Sequence, residues 1–269
     1  GKVLADEVSG RLFISDSNHN RIVVATLNGE VTQMVGSGEV GLADGVFGMA
    51  CFDHPQGMAL DGDALYVADT ENHAIRRIDL VAGTVETVAG TGQQLRGERG
   101  GGEALSSDLS SPWDLELHEG TLYVAMAGAH QLWALDLKEG QVGPYAGNGQ
   151  ESPVDGLLGS ASLAQPSGIT GDGAKMYFAD SEASAIRSAD LDPQGNVRSI
   201  VGMDLFVFGD VDGTGDSVRL QHPLGIHYHD GVLYVADTYN NKVKRVFPQT
   251  RSVLPLLGTG EPGPRDGEA

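Results

Sequence analysis

The chain has 269 residues, and its 17 Lys and Arg against 37 Asp and Glu give a net charge of −20. The basic residues are scattered, the densest groups being Arg76-Arg77 and Lys242, Lys244 and Arg245; this argues against nucleic-acid binding, and an acidic surface disfavours anionic membranes. No apolar run approaches the roughly 18 residues of a membrane-spanning helix, so direct membrane insertion is not expected, and the single Cys51 excludes an internal disulfide and a CxxC redox pair.

The first residues, GKVLADEVSG, read as a strand rather than a charged-then-apolar leader. A repeat then runs to the end of the chain: LFISDSNHNRI, LYVADTENHAI, LYVAMAGAHQL, MYFADSEASAI and LYVADTYNNKV. Its key position falls at Asp16, Asp69, Met126, Asp180 and Asp237, spaced 53, 57, 54 and 57 residues apart. A period near 40–55 residues built from short strands predicts a β-propeller. Each unit parses alike. An apolar strand follows Pro-x-Gly, as in Pro55-Gln56-Gly57, Pro166-Ser167-Gly168 and Pro223-Leu224-Gly225. The LYVAD strand alternates its buried face, a tight turn leads to a third strand, and a polar fourth strand ends near glycine. Lys2-Val3-Leu4 serves as the inner strand of blade one.

The inter-blade loops repeat too. Asp44-Gly45, Asp155-Gly156 and Asp212-Gly213 each lie eleven residues before the next proline, with Gly101-Gly102 in that place before Pro112. Phe52, Leu109, Leu163 and Leu220 sit three before it as apolar plugs. The expectation is an all-β chain, a single propeller domain over 1–269 with five four-stranded blades at about 1–38, 52–92, 109–149, 163–203 and 220–260. Asp266-Gly267 restarts the inter-blade loop, which points to a six-bladed parent and to no closure by exchange of terminal strands.

Several motifs go beyond the scaffold. Blade three has Trp113-Asp114 in place of x-Gly and Met126 in place of the turn Asp, with His130 and Trp133 close by. Loss of repeated residues to aromatics suggests a specialised interaction surface; the alternative is that the tryptophans fill local gaps in the core. Leu205, Phe206 and Phe208 lie in the insertion that begins at Met203 and either plug a gap between blades or form an apolar patch. Asp210, Asp212 and Asp216 alternate around glycines as Ca²⁺ ligands can, although no bidentate Glu closes the loop. His227 and His229 share a strand face at a spacing that suits zinc, without a third ligand. The repeated Asp and Asn of the turns, Asp69 with Asn72 among them, read as scaffold. No cofactor is expected.

SPWD at 111–114, AMAGAHQLWAL at 125–135, AQPSG at 164–168, FADSEASAIR at 178–187, LFVFGDVDG at 205–213 and LQHPLG at 220–225 resemble one family in particular. Its members join a thioredoxin-like domain to an NHL-repeat propeller and include the plant suppressor of quenching proteins and animal NHL repeat-containing protein two. LFISDSNHNRI at 12–22 leans toward the plant and algal members. The resemblance implies a non-catalytic module that binds a protein partner and works beside a thioredoxin-like domain of its parent chain. For plant members it implies the chloroplast thylakoid lumen and a restraint on sustained photoprotective quenching; a cytoplasmic protein of the animal or bacterial type is the alternative. The rival reading is a metal-dependent propeller enzyme, a lyase or lactone hydrolase. For that, Gln56, Asp114, Ser167 and Leu224 at the inner strand starts supply too few ligands.

Overall fold

The computed structural model describes residues 1–97, 100–202 and 204–263. They form a five-bladed β-propeller of antiparallel sheets. Blade one contains Val3–Asp6, Arg11–Asp16, Arg21–Thr26 and Val31–Val35, each strand paired with the next. Blades two to five repeat that order: Pro55–Asp61 to Thr84–Ala89, Pro112–His118 to Gln141–Ala146, Pro166–Gly171 to Asn196–Val201, and Pro223–His229 to Ser252–Leu257. Each of these four sheets gains a two-residue strand from the preceding loop, such as Gly45–Val46 against Thr84–Ala89. Among the described residues no helix exceeds a single three-residue 3₁₀ turn.

Contacts divide the chain into two compact units, Gly1–Ala129 with Trp133–Pro144, and His130–Leu132 with Tyr145–Ala269. In the first, strand alternation sends side chains to different neighbours. Leu65 and Val67 join a core with Phe13, Ile22 and Val24 of blade one, while Tyr66 and Ala68 join one with Leu115, Val124 and Trp133 of blade three. Period-two patterning buries both faces of a blade because both are covered. In the second unit Tyr177 and Ala179 of blade four pack with Leu233, Val235 and Val253 of blade five. The four plug residues, Phe52, Leu109, Leu163 and Leu220, are fully buried.

The glycine of Pro-x-Gly sets the approach of neighbouring inner strands. A Cβ on Gly168 would lie 2.7 Å from the carbonyl oxygen of Leu224 and 3.0 Å from the Ile226 nitrogen, so no larger residue fits without moving a blade. At the chain ends Val3–Asp6 pairs with Arg11–Asp16, and Ser252–Leu257 pairs with Lys242–Phe247 and Gly213–Thr214. The Asp266-Gly267 motif lies outside the described residues, as does Met203.

Candidate functional site

The repeated Asp of the second strand is the centre of a buried ion cluster. In blade two Asp69 accepts the Asp53 N–H at 2.7 Å, Asn72 Nδ2 at 2.8 Å and Arg76 Nη1 at 2.8 Å. The same guanidinium reaches Asp44 at 2.8 Å and the carbonyls of Cys51 and Ala43. Blade four copies this with Asp180, Arg187 and Asp155, at 2.7 and 3.0 Å. In blade five Lys244 takes the place of arginine and touches Asp210 at 2.7 Å, Asp212 at 3.1 Å and Asp237 at 3.1 Å. Asp and cation are seven residues apart in all three, and the loop Asp stands 32 before the cation. A fork-shaped guanidinium can satisfy carboxylates and carbonyls together, whereas an ammonium gathers three carboxylates as a point charge.

Burial pushes the Asp69 carboxyl up to about 6, against the lowering effect of its hydrogen bonds and of Arg76, and it also raises Asp180. Burial works against the Lys244 ammonium, but Asp210, Asp237 and Asp212 outweigh it and raise the lysine. For Asp69 the folded value exceeds the unfolded 3.8, so the folded state binds the proton first and this group's contribution grows as pH falls from about 6 toward 4. The stability gap between wild type and Asp69→Asn is therefore expected to widen over that range in thermal melts. A gap that narrows instead would show that Arg76 holds the carboxylate low.

Blade three replaces the whole cluster at once. Met126 and Trp133, seven apart, occupy the Asp and cation positions, and Gly101 stands 32 residues before Trp133. Both side chains are 0 % exposed and belong to the core shared with Leu115, Leu122 and Val124. Met126 Sδ accepts the Ser110 N–H at 3.4 Å, the bond that the carboxylate accepts elsewhere. A Cβ on Gly101 would meet the Val142 carbonyl oxygen at 2.4 Å, so that position no longer admits an aspartate. Met126 and Trp133 thus form an apolar version of the structural cluster and lie within the core rather than on a surface.

The other blade-three residues also take structural parts. Asp114 is buried, and both its oxygens face Lys2 Nζ at 2.8 and 2.9 Å. Its backbone and side chain fill the space that Gly57 leaves open, since a Cβ there would lie 2.2 Å from Asp114 Oδ1. Trp113 is half-buried at a register shift between Pro112 and Asp114. His130 has a left-handed φ of 53°, and its Nδ1 accepts the Gln165 N–H at 3.2 Å. Asn20, His73 and Ser184 hold the same position with φ of 48–52° and accept from His54, Ser111 and His222.

The weak calcium candidate, Asp210, Asp212 and Asp216, is drawn into ion pairs. Asp210 lies against Lys242 and Lys244, Asp212 against Lys244, and Asp216 against Arg251. Lys242 and then Lys244 hold the Asp210 carboxyl below the usual range. Carboxylates already neutralised by fixed ammonium groups are poor Ca²⁺ ligands. Among the described residues no group of three His, Cys, Asp or Glu could hold a metal, and His227 and His229 gain no third ligand.

The insertion before blade five behaves differently. Asp204 and Val207 bridge, making a tight reversal with Leu205 and Phe206 at its tip. Leu205 turns inward onto Ala164, Ala183 and Ala185 of blade four. Phe206 is 83 % exposed and Phe208 53 %. Next to them, Gly209 donates to the Leu220 carbonyl and accepts from Asn240 Nδ2 at 2.7 Å, which ties the loop to the blade-five turn. That turn carries Tyr239, 60 % exposed, whose ring stacks on His222 at 4.4 Å and 12°. His222 Nε2 is 3.4 Å from Glu182 Oε2. An anchored loop that presents aromatics to solvent, beside a stacked tyrosine, has the composition of a protein-binding anchor site.

Residues 52–78 match the family model for the NHL repeat, a stretch that contains the plug Phe52, Asp69 and Arg76. Along nearly its whole length the chain is similar to NHL repeat-containing protein 2 of Bos taurus, at 42 % identity over 97 % of this chain and 40 % of the relative. It is also similar to the chloroplastic protein Suppressor of quenching 1 of Arabidopsis thaliana, at 45 % identity over 100 % of this chain and 27 % of the relative. The chain is an NHL-repeat β-propeller. It spans well under half the length of these curated relatives. Among solved structures it shares its fold with a Bacteroides thetaiotaomicron protein of unknown function (TM-score 0.66, 18 % identity, 94 % of this chain and 57 % of that one). It shares it also with virginiamycin B lyase from Staphylococcus aureus (TM-score 0.57, 11 % identity, 96 % and 69 %).

Within the NHL repeat, then, the Asp–cation pair seven residues apart is scaffold, and blade three carries its apolar replacement. What the repeat does not explain is Phe206 and Phe208, since between the blade-ending glycine and the Asp-Gly or Gly-Gly of the inter-blade loop the other three loops carry no aromatic residue.

Proposed function

We propose that this chain is a non-catalytic protein-interaction module whose docking surface is the aromatic loop Phe206–Phe208 with Tyr239. The observation that carries the reading is the combination of a partly buried anchor, Leu205, with two phenylalanines nearby in sequence left in solvent. Exposing two such rings has no use for stability, whereas large aromatics account for much of the binding energy at protein interfaces. The carboxylates that could have supported metal-dependent chemistry are paired with the chain's own cations. The lyase likeness concerns the fold alone.

We take residues 1–269 as one propeller domain of a longer protein; the motif resemblance to the thioredoxin-like/NHL family, not the relatives' names, is what sets a thioredoxin-like domain beside it to be positioned against a target. Similarity to the chloroplastic plant protein supports a role in suppressing quenching in the chloroplast; the thylakoid lumen, and the sustained photoprotective form of quenching, rest on the motif resemblance alone. The test is co-purification of partners with tagged wild-type protein and with a Phe206→Ser, Phe208→Ser variant. The variant is expected to keep its melting temperature, because both residues are exposed, and to lose a discrete partner. Unchanged partner recovery by the folded variant would remove this loop from the interface.

A further inference from the structure

The aromatic loop lies between two turns of different chemistry. On the blade-four side Leu205 packs on Ala183, the residue after Glu182. On the blade-five side the residue after Phe208 is hydrogen-bonded to Asn240, the residue after Tyr239. His222 connects the two, with Tyr239 stacked on its ring and the Glu182 carboxylate 3.4 Å from Nε2. The imidazole is held in place. Its backbone has φ 45° and donates to Ser184 Oγ at 3.3 Å, and the Pro223 ring follows directly. With one face of Tyr239 covered by His222 and the residue 60 % exposed, the phenol presents its other face to solvent.

An open aromatic face attracts a cation through the ring quadrupole, and the Glu182 carboxylate, paired with the stacked His222, adds negative charge nearby. The rest of the molecule favours the same sign of partner. The chain carries a net charge of −20, and the loop itself adds an exposed Asp204. Complementary charge guides encounter and selects partners, while desolvated aromatics supply affinity. Building on the docking reading above, we propose that the partner is a basic protein segment. It seats a Lys or Arg side chain on Tyr239 beside Glu182 and places an adjacent apolar side chain against Phe206 and Phe208.

Three fluorescein-labelled peptides test this by anisotropy at physiological salt: alternating Lys and Leu, alternating Glu and Leu, and alternating Lys and Ser. The 269-residue chain is expected to bind the Lys/Leu peptide best. Tyr239→Ala and Glu182→Gln should each weaken that binding by about fivefold to tenfold. Glu7→Gln, an exposed carboxylate on blade one, should leave it unchanged, which separates a site from general attraction to an acidic protein. Equal affinity for the Glu/Leu peptide, no binding of the Lys/Leu peptide, or equal effects of Glu182→Gln and Glu7→Gln would overturn the proposal. If Phe206→Ser, Phe208→Ser still weakens binding in the first or last of those cases, the docking surface stands and only the partner's charge is wrong. If that double variant changes nothing for any bound peptide, both fall.

Discussion

Replacing Arg187 by Met is expected to destabilise the protein by about 3–5 kcal/mol in urea unfolding, the usual cost of removing one partner from a buried ion pair. The guanidinium is fully buried, and its loss leaves the Asp180 carboxyl at 0 % exposure without its ion-pair partner, with the Ala164 N–H as a remaining donor. Blade three indicates how that loss can be repaired. Asp155→Gly, Asp180→Met and Arg187→Trp together recreate the Gly101, Met126 and Trp133 arrangement, so the triple variant should be more stable than Arg187→Met alone. Well-packed apolar groups commonly replace buried ion pairs without loss, whereas half a pair does not fold well. A single variant that loses less than about 1 kcal/mol would show that the cluster contributes little.

The reciprocal change is the second large effect. Trp133→Ala should cost about 3–5 kcal/mol, the range for truncating a fully buried aromatic. Met126→Asp restores the residue of the other blades but gives it no cation, since Trp133 stands where Arg76, Arg187 or Lys244 would be. It should destabilise severely for the reason Arg187→Met does. Neither substitution should alter partner recovery at a temperature where the variant remains folded. Loss of partner by folded Trp133→Ala, with its melting temperature unchanged, would return blade three to the interface.

Most of the scaffold could be read from the chain because it repeats. The period of 53–57 residues, the alternating LYVAD strand and the plugs at Phe52, Leu109, Leu163 and Leu220 each reflect a constraint that every blade meets in the same way. Blade three was harder to read for the same reason. Met126 was legible as a departure, but it was one member of a set whose others, Trp133 and Gly101, lie seven residues after and 25 before it. Pairing Asp69 with Arg76 and Asp180 with Arg187 at constant spacing was the signal that would have identified it as a core substitution. The ion pairs of Asp210 were hidden for a similar reason, since Lys242 and Lys244 are far from it in sequence and adjacent in space. For Leu205, Phe206 and Phe208 the sequence favoured packing over an exposed patch, whereas only Leu205 packs. Composition cannot say which of three apolar residues in a reversal turns inward; the alanine-lined recess formed by Ala164, Ala183 and Ala185 decides it.

The most direct measurement is site-specific photo-crosslinking in the full-length protein, with a benzophenone side chain placed in turn at Phe206, Phe208, Tyr239, Trp113 and His130. The first three should yield adducts to one discrete partner, and Trp113 and His130 should yield none to it. Adducts formed from Trp113 and His130, with none from Phe206, Phe208 or Tyr239, would place the interface on blade three and contradict the account.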